Sequence, residues 1–172
     1  QLLLHDYLVN KNKDSSSDIY EHINKNFLSY FSELSSVKNG FDTYIRLLDV
    51  PMKDWSDNDV ATLKETYGDR IFNDRGEPVS GGPLANVEED LYQLQVDAIL
   101  NAAYVKGNKN SIYIGLPNVK SYEEVVLLKK MVDGSKFRAL CDFPVGIYIH
   151  DESIDLNMEE DAKKIAPIVS AV

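Results

Sequence analysis

The chain has 172 residues, of which 44% are hydrophobic and 27% are charged, so it can bury one domain-sized core and is not wholly disordered. A formal net charge of −10 repels the phosphate backbone of nucleic acids. These numbers favour one acidic globular domain spanning residues 1–172 that does not bind nucleic acid.

No apolar run approaches the roughly 18 residues of a membrane-spanning helix. The sequence begins with Gln1 rather than Met and shows no signal-peptide pattern, so we expect a piece of a larger protein. Membrane attachment is expected only through segments outside this sequence. The one cysteine, Cys141, cannot form an internal disulfide, and the compartment stays open.

The first 40 residues predict two helices. Leucines and a tyrosine at helical spacing predict a helix over residues 1–10, and the polar run over residues 10–17 predicts a linker. Asp18 and Glu21 form a predicted capping box for a second helix, which Gly40 ends.

Two further helices are predicted before residue 68. Apolar residues at helical spacing over residues 41–48 predict a short helix that Pro51 ends. Ser56 and Asp59 predict the cap of the next helix, and Gly68 predicts its end. Residues 1–68 therefore form a predicted helical part of the domain.

Residues 69–172 alternate between strand-like and helix-like patterns. The predicted elements are a hairpin over residues 71–79, a helix capped by Asn86 and Glu89, a strand over 111–116, a helix capped by Ser121 and Glu124, strands over 137–140 and 145–150, and a last helix capped by Asn157 and Glu160. This order predicts the α+β class, with a mostly antiparallel sheet, helices packed on it and helices at both termini.

Nucleophilic and metal chemistry have weak signals. Cys141 and His150 would approach each other if their predicted strands formed a hairpin, which would suit a thiol nucleophile and its base, but ordinary strand residues explain them better. The three histidines lack the spacing of a helical metal site. We therefore predict no catalytic residue, no metal and no cofactor.

Tyrosines are the remaining candidates for binding chemistry. The chain has ten of them, and Tyr113 and Tyr148 lie on predicted strands, as does His150. Aromatic side chains with a polar tip suit the wall of a small-molecule pocket, although they also suit the edge of a core. Tyr113, Tyr148 and His150 are the predicted ligand-binding residues, in a pocket between the sheet and the helix over residues 86–104.

Two segments resemble known sensor domains. Residues 143–172 (FPVGIYIHDESIDLNMEEDAKKIAPIVSAV) are similar to the closing strand, acidic loop and helix of GAF domains. Residues 70–79 (RIFNDRGEPV) resemble the opening hairpin of PAS-like domains, including the Cache type. The resemblance implies an antiparallel sheet and a sensory role in a bacterial signalling protein.

The sequence thus predicts a ligand-sensing or regulatory domain that binds a small molecule and passes the signal on through its terminal helices. Those apolar helices also predict a possible homodimer. The alternatives are an interaction or structural assembly module without a small ligand, and an enzyme that uses Cys141 and His150.

Overall fold

In a computed structural model, residues 2–10, 13–34, 40–49, 55–149 and 159–170 are described. The helices in these ranges are α1 (Leu2–Asn10), α2 (Lys13–Leu34), α3 (Asp57–Tyr67), α4 (Gly82–Ala85), α5 (Glu89–Val105), α6 (Tyr122–Gly134) and α7 (Glu159–Ile165), with 3₁₀ turns at Gly68–Ile71 and Arg138–Leu140. The strands are β1 (Thr43–Arg46), β2 (Ile112–Gly115) and β3 (Val145–Tyr148).

The three strands form one sheet in the order β1-β2-β3, and both pairs are parallel. The predicted α+β class is retained, but the predicted mostly antiparallel sheet is wrong. Helices α3, α4 and α5 lie between β1 and β2, and α6 lies between β2 and β3. Such long crossovers return the chain to the same end of the sheet, which makes neighbouring strands parallel.

Strand β1 replaces the helix predicted over residues 41–48. The apolar spacing in this segment fits a helix, yet the same residues also alternate in burial along β1. The helical prediction for residues 1–68 is therefore wrong at Thr43–Arg46. Because β1 was not predicted, the alternation of strands and helices that is typical of a parallel sheet was not recognised.

Two other strand predictions are wrong. Residues 137–140 were predicted as a strand, but Arg138–Leu140 is a 3₁₀ turn. The hairpin over residues 71–79 is reduced to a single antiparallel bridge between Phe72 and Pro78. The antiparallel sheet implied by the sensor-domain resemblance is therefore not found, and membership of that group stays a prediction.

Several local predictions are confirmed. Ser56 and Asp59 form a reciprocal capping box at the start of α3, and Gly68 follows that helix with a φ of 62°. The Ser121 side chain accepts from the backbone N–H of Glu124 at the start of α6. Helices α1, α3 and α6 and strands β2 and β3 fall within the predicted segments, and α5 extends one residue beyond the helix predicted over residues 86–104.

Other boundaries differ from the prediction. Helix α2 begins at Lys13, so the linker predicted over residues 10–17 is wrong at its end, and so is the capping box of Asp18 and Glu21. Residue Glu88, rather than Asn86, precedes α5. The cap predicted at Asn157 lies outside the described residues.

One apolar core joins the helices to one face of the sheet. It includes Leu4 and Leu8 of α1, Val96 and Ile99 of α5, and Ile114 of β2. The apolar side chains of α1 are therefore used inside the chain. A homodimer through the terminal helices stays a prediction.

Candidate functional site

The second face of the sheet carries aromatic and basic side chains. Along the strands, Tyr44 pairs with Tyr113, and Arg46 with Gly115 and then Tyr148. Alternate residues point to opposite faces, so these side chains share one face while the intervening isoleucines point into the core. We call the set Tyr44, Arg46, Tyr113 and Tyr148 the tyrosine face.

In the tyrosine face, the ring of Tyr44 contacts the rings of both Tyr113 and Tyr148. Tyr44 stacks on Tyr113 with ring centres 5.0 Å apart and an interplanar angle of 26°. The ring of Tyr148 meets Tyr44 edge-on, at 5.4 Å and 85°. Tyr44 thus joins the two predicted ligand residues Tyr113 and Tyr148 into one aromatic cluster.

Two glycines provide the room in which these rings lie. A Cβ atom at Gly115 would stand 2.6 Å from two ring carbons of Tyr148. A Cβ atom at Gly146 would stand 2.9 Å from the ring of Tyr113 and would also meet the Ser170 side chain. Because neither position has a side chain, the rings extend across the neighbouring strands.

The tyrosine face is partly open to solvent and carries a positive charge. Tyr44 is 53% exposed, and Arg46 is exposed as well, whereas Tyr113 and Tyr148 are half-buried. Burial raises the pKa of Tyr148, and the Arg46 guanidinium lowers it in part, so the phenol is neutral at pH 7. Arg46 thus places a positive charge on this face, although the chain as a whole carries a strong negative charge.

Arg46, Gly115 and Tyr148 are the last residues of their strands. This row therefore lies at the carboxyl end of the parallel sheet, the edge where ligands bind in open α/β folds. The loops that follow β1 and β2 leave from the same edge, and a hydrogen-bonded cluster joins them.

Asp49 is the centre of that cluster. Its Oδ1 accepts from the Gly81 backbone N–H at 2.9 Å and from the Tyr92 hydroxyl at 3.5 Å. Its Oδ2 accepts from Asn118 Nδ2 at 3.2 Å, and Asn118 also donates to Ser80 Oγ at 3.0 Å. The loops after β1 and β2 and the turn before α4 are thereby fastened to one another.

Backbone geometry at this cluster restricts which residues fit. Asn118 has a φ of 50°, a left-handed conformation in which asparagine is among the better tolerated residues. Gly81 has a φ of 63°, and a Cβ atom there would collide with the Pro117 carbonyl. This close approach lets the Gly82 N–H donate to Pro117 O at 2.9 Å.

Two buried side chains, Glu124 and Tyr92, form hydrogen bonds near this turn. Burial raises the pKa of Glu124, although its hydrogen bonds from the backbone of Lys120 and Ser121 partly oppose that increase. Glu124 also accepts from Asn86 Nδ2 at 3.4 Å. Burial and the Asp49 carboxylate raise the pKa of Tyr92 well above its usual value, so it stays a hydrogen-bond donor.

The structure brings together two of the three predicted ligand residues. Tyr113 and Tyr148 share the tyrosine face, while His150 lies outside the described residues. The space predicted to hold the ligand, between the sheet and α5, is occupied by the apolar core. A ligand contacting these tyrosines would bind on the opposite face of the sheet.

Sequence reasoning missed Tyr44 and Arg46 because their segment was predicted to be helical. The signal was present as an alternation of outward Tyr44 and Arg46 with inward Thr43, Ile45 and Leu47. Cys141 is buried, and burial raises the pKa of its thiol. It follows a 3₁₀ turn, so the strand predicted over residues 137–140, on which the hairpin toward His150 depended, is not formed.

Two clefts lie away from the sheet. One, of about 420 Å³, is lined by α3 and the turn after it, including Lys64, Asp69 and Asp74. The other, of about 360 Å³, lies between α2 and α5. No strand residue lines either cleft, so neither extends the tyrosine face.

Within the described ranges, no group of three or more His, Cys, Asp or Glu side chains is placed to hold a metal ion. The helices in those ranges include none that is both long and apolar enough to span a membrane. Comparisons with models of protein families, with curated proteins and with solved structures find no match for this chain. Functional inference therefore rests on the geometry of the sheet.

Proposed function

We propose that this chain is a ligand-sensing or regulatory domain that binds a small anionic molecule on the tyrosine face. The observation that carries the proposal is the row of Arg46, Gly115 and Tyr148 at the carboxyl end of the parallel sheet. Parallel α/β sheets commonly bind ligands at this end. Because Gly115 has no side chain, the Tyr148 ring extends over β2 toward Arg46, so an aromatic surface and a cation lie at this end of the sheet.

The charge of the ligand follows from Arg46. Its guanidinium presents five donors in a planar fork that suits a carboxylate or a phosphate. Asp49 lies beyond the same strand end, but it already accepts from Gly81, Tyr92 and Asn118. An anionic group on Arg46 with its apolar part against the tyrosine rings fits this arrangement best.

A regulatory role is suggested by the C-terminal segment. The Ser170 backbone N–H donates to the Ile147 carbonyl of β3 at 2.9 Å, and its side chain packs over Gly146 beside Tyr113. A ligand that displaces or strengthens this contact would shift the position of the segment after α7. The size of that shift is set by the difference in ligand affinity between the two states.

The direct test is thermal shift against a library of small carboxylates and phosphates. Any compound that stabilises the protein should lose most of its effect in Arg46→Gln. The matched control is Arg75→Gln, which removes an exposed arginine from the turn between Phe72 and Pro78 and should keep the effect. The proposal would be refuted if no compound in the library raised the melting temperature, or if a compound stabilised both variants equally.

Mapping of the bound compound separates the tyrosine face from the two clefts. Amide resonances of β1, β2 and β3 should shift in ¹H–¹⁵N spectra, and the Ser170 amide should shift with them. His150 stays a predicted ligand residue, and His150→Ala tests it in the same assay. Shifts confined to α3 or to the α2–α5 groove would place the ligand elsewhere.

A specific observation also favours the alternative function, an interaction module without a small ligand. Phe41, Tyr44 and Leu48, on and around β1, are 38%, 53% and 41% exposed. Clustered exposed apolar side chains are typical of protein-binding surfaces. This alternative predicts that no small molecule changes the melting temperature, whereas a protein partner does.

A further inference from the structure

The outer edge of β1 carries backbone groups that pair with no other strand in the described part of the chain. Thr43 N–H donates to Ser111 O, and Leu47 N–H donates to Gly115 O, both at 2.9 Å. Backbone groups of a parallel strand alternate between its two sides, so Tyr44 and Arg46 present their N–H and C=O groups to the outer side. Among the described residues β1 ends the strand order, so this side is an edge of the described sheet.

Beyond Arg46, the next outward-facing backbone groups of this edge, those of Leu48, already form hydrogen bonds within the chain. The Leu48 N–H donates to Gln95 Oε1 at 2.8 Å, and Gln95 Nε2 donates to Leu48 O at 3.5 Å. The buried Gln95 amide thus pairs with Leu48 as a peptide group of a neighbouring strand would. Within β1 as described, the outward-facing groups are the backbone N–H and C=O of Tyr44 and of Arg46.

We propose that a second copy of this chain pairs with β1 across this edge. An antiparallel pair with its twofold axis at Ile45 places Tyr44 opposite Arg46 of the second copy, and the reverse. Residues that are opposite in this register exchange both of their hydrogen bonds. The outward N–H and C=O groups of Tyr44 and Arg46 in each copy then all form hydrogen bonds, and the edge is no longer available to pair with other strands.

The side chains support the same register. Opposite residues of an antiparallel pair project from the same face, so each Arg46 meets the half-exposed ring of the other Tyr44. An arginine beside a tyrosine ring is a favourable cation–π arrangement. The edge is self-complementary, as an isologous twofold contact requires.

The contact joins two chains that each carry a net charge of −10. Their mutual repulsion acts over roughly a Debye length and is screened by salt. The dimer should therefore strengthen as the salt concentration rises, whereas a contact built mainly on ion pairs would weaken. Sedimentation at about 10 µM to about 1 mM protein should show a monomer and dimer in equilibrium.

Disulfide trapping tests the register directly. In a Cys141→Ala background, a mixture of Tyr44→Cys and Arg46→Cys proteins should form a disulfide-linked dimer on mild oxidation. Their Cα atoms would be about 5.5 Å apart, within reach of a disulfide. Either protein alone should cross-link several times less, because two copies of the same position lie more than about 7 Å apart in this register.

The control for random collision is Tyr104→Cys, on an exposed position of α5, mixed with Arg46→Cys. Tyr44→Pro removes the outward N–H and should abolish the dimer, while Tyr44→Phe should keep it. Far-ultraviolet circular dichroism shows whether the Tyr44→Pro variant folds. If this variant is unfolded, the disulfide trapping with the mixed cysteine proteins tests the register instead. A monomer at all concentrations, or cross-linking no better than the control, overturns the proposal.

Discussion

The ring of Tyr148 lies where a side chain at Gly115 would otherwise stand. A Cβ atom at Gly115 would be 2.6 Å from two ring carbons, closer than real Cβ contacts come. Tyr148 can therefore cross from β3 over β2 and approach Arg46 on β1. The arrangement of Arg46, Gly115 and Tyr148 at the carboxyl end of the sheet therefore depends on the absence of a side chain at Gly115.

Gly115→Ala should force the Tyr148 ring off the sheet or push the strands apart. We expect a loss of about 1–3 kcal/mol in the free energy of unfolding, as for other overpacked sites. Urea unfolding measures it. Gly134→Ala is the control, because its Cβ atom would meet nothing within 4 Å at the end of α6. Equal effects of the two substitutions would contradict the packing of Tyr148 on Gly115.

Asp49→Ala should destabilise the loops at the carboxyl end of the sheet. It leaves Gly81 N–H, the Tyr92 hydroxyl and Asn118 Nδ2 without their common acceptor. We expect a loss of about 2–3 kcal/mol, since groups that lose a charged partner pay for desolvation. Chemical denaturation checks it, with the exposed turn residue Asp74→Ala as a control. A loss no larger than that of Asp74→Ala would show that the cluster does not fasten these loops.

Local signals predicted the parts of the fold that depend on neighbouring residues. The capping box of Ser56 and Asp59 and the alternation of β2 each lie within a few positions, and both are confirmed. The segment of β1 fits both periods, and only its place beside β2 decides between them. Strand direction is also non-local, since it depends on where the crossover helices return the chain.

The candidate site was only half predictable for the same reason. Tyr113 and Tyr148 were predicted as site residues because strands β2 and β3 were predicted correctly. Tyr44 and Arg46 were missed together with β1. The Asp49–Asn118 hydrogen bond joins residues 69 positions apart, and no local pattern marks either residue.

Cys141 should react slowly with iodoacetamide at pH 7. The thiol is buried, and burial raises its pKa, so little thiolate is available to attack. Mass spectrometry over time measures the modification. The reference is the same reaction in urea, where the chain is unfolded, and an exposed cysteine placed by Tyr104→Cys. If Cys141 in the folded protein reacts as fast as the exposed cysteine, the enzyme alternative regains support.

Glu124 should make the folded state less stable as the pH rises above the usual glutamate value near 4.5. Its pKa is raised in the folded state, mainly by burial, so between the unfolded and folded values the folded chain binds more protons than the unfolded chain. Its contribution is complete below the unfolded value and is lost as the pH rises through the folded one. The free energy of unfolding of the unmodified protein, minus that of Glu124→Gln, should therefore fall across this window.

Urea unfolding at several pH values between about 4 and about 7 measures that difference. Glu65→Gln is the matched control, because it removes an exposed carboxylate from a different helix, α3. The decrease should be larger for Glu124→Gln than for this control. A difference that rises with pH for Glu124→Gln would mean that the hydrogen bonds from Lys120, Ser121 and Asn86 outweigh burial, and that the carboxylate is held in its charged form.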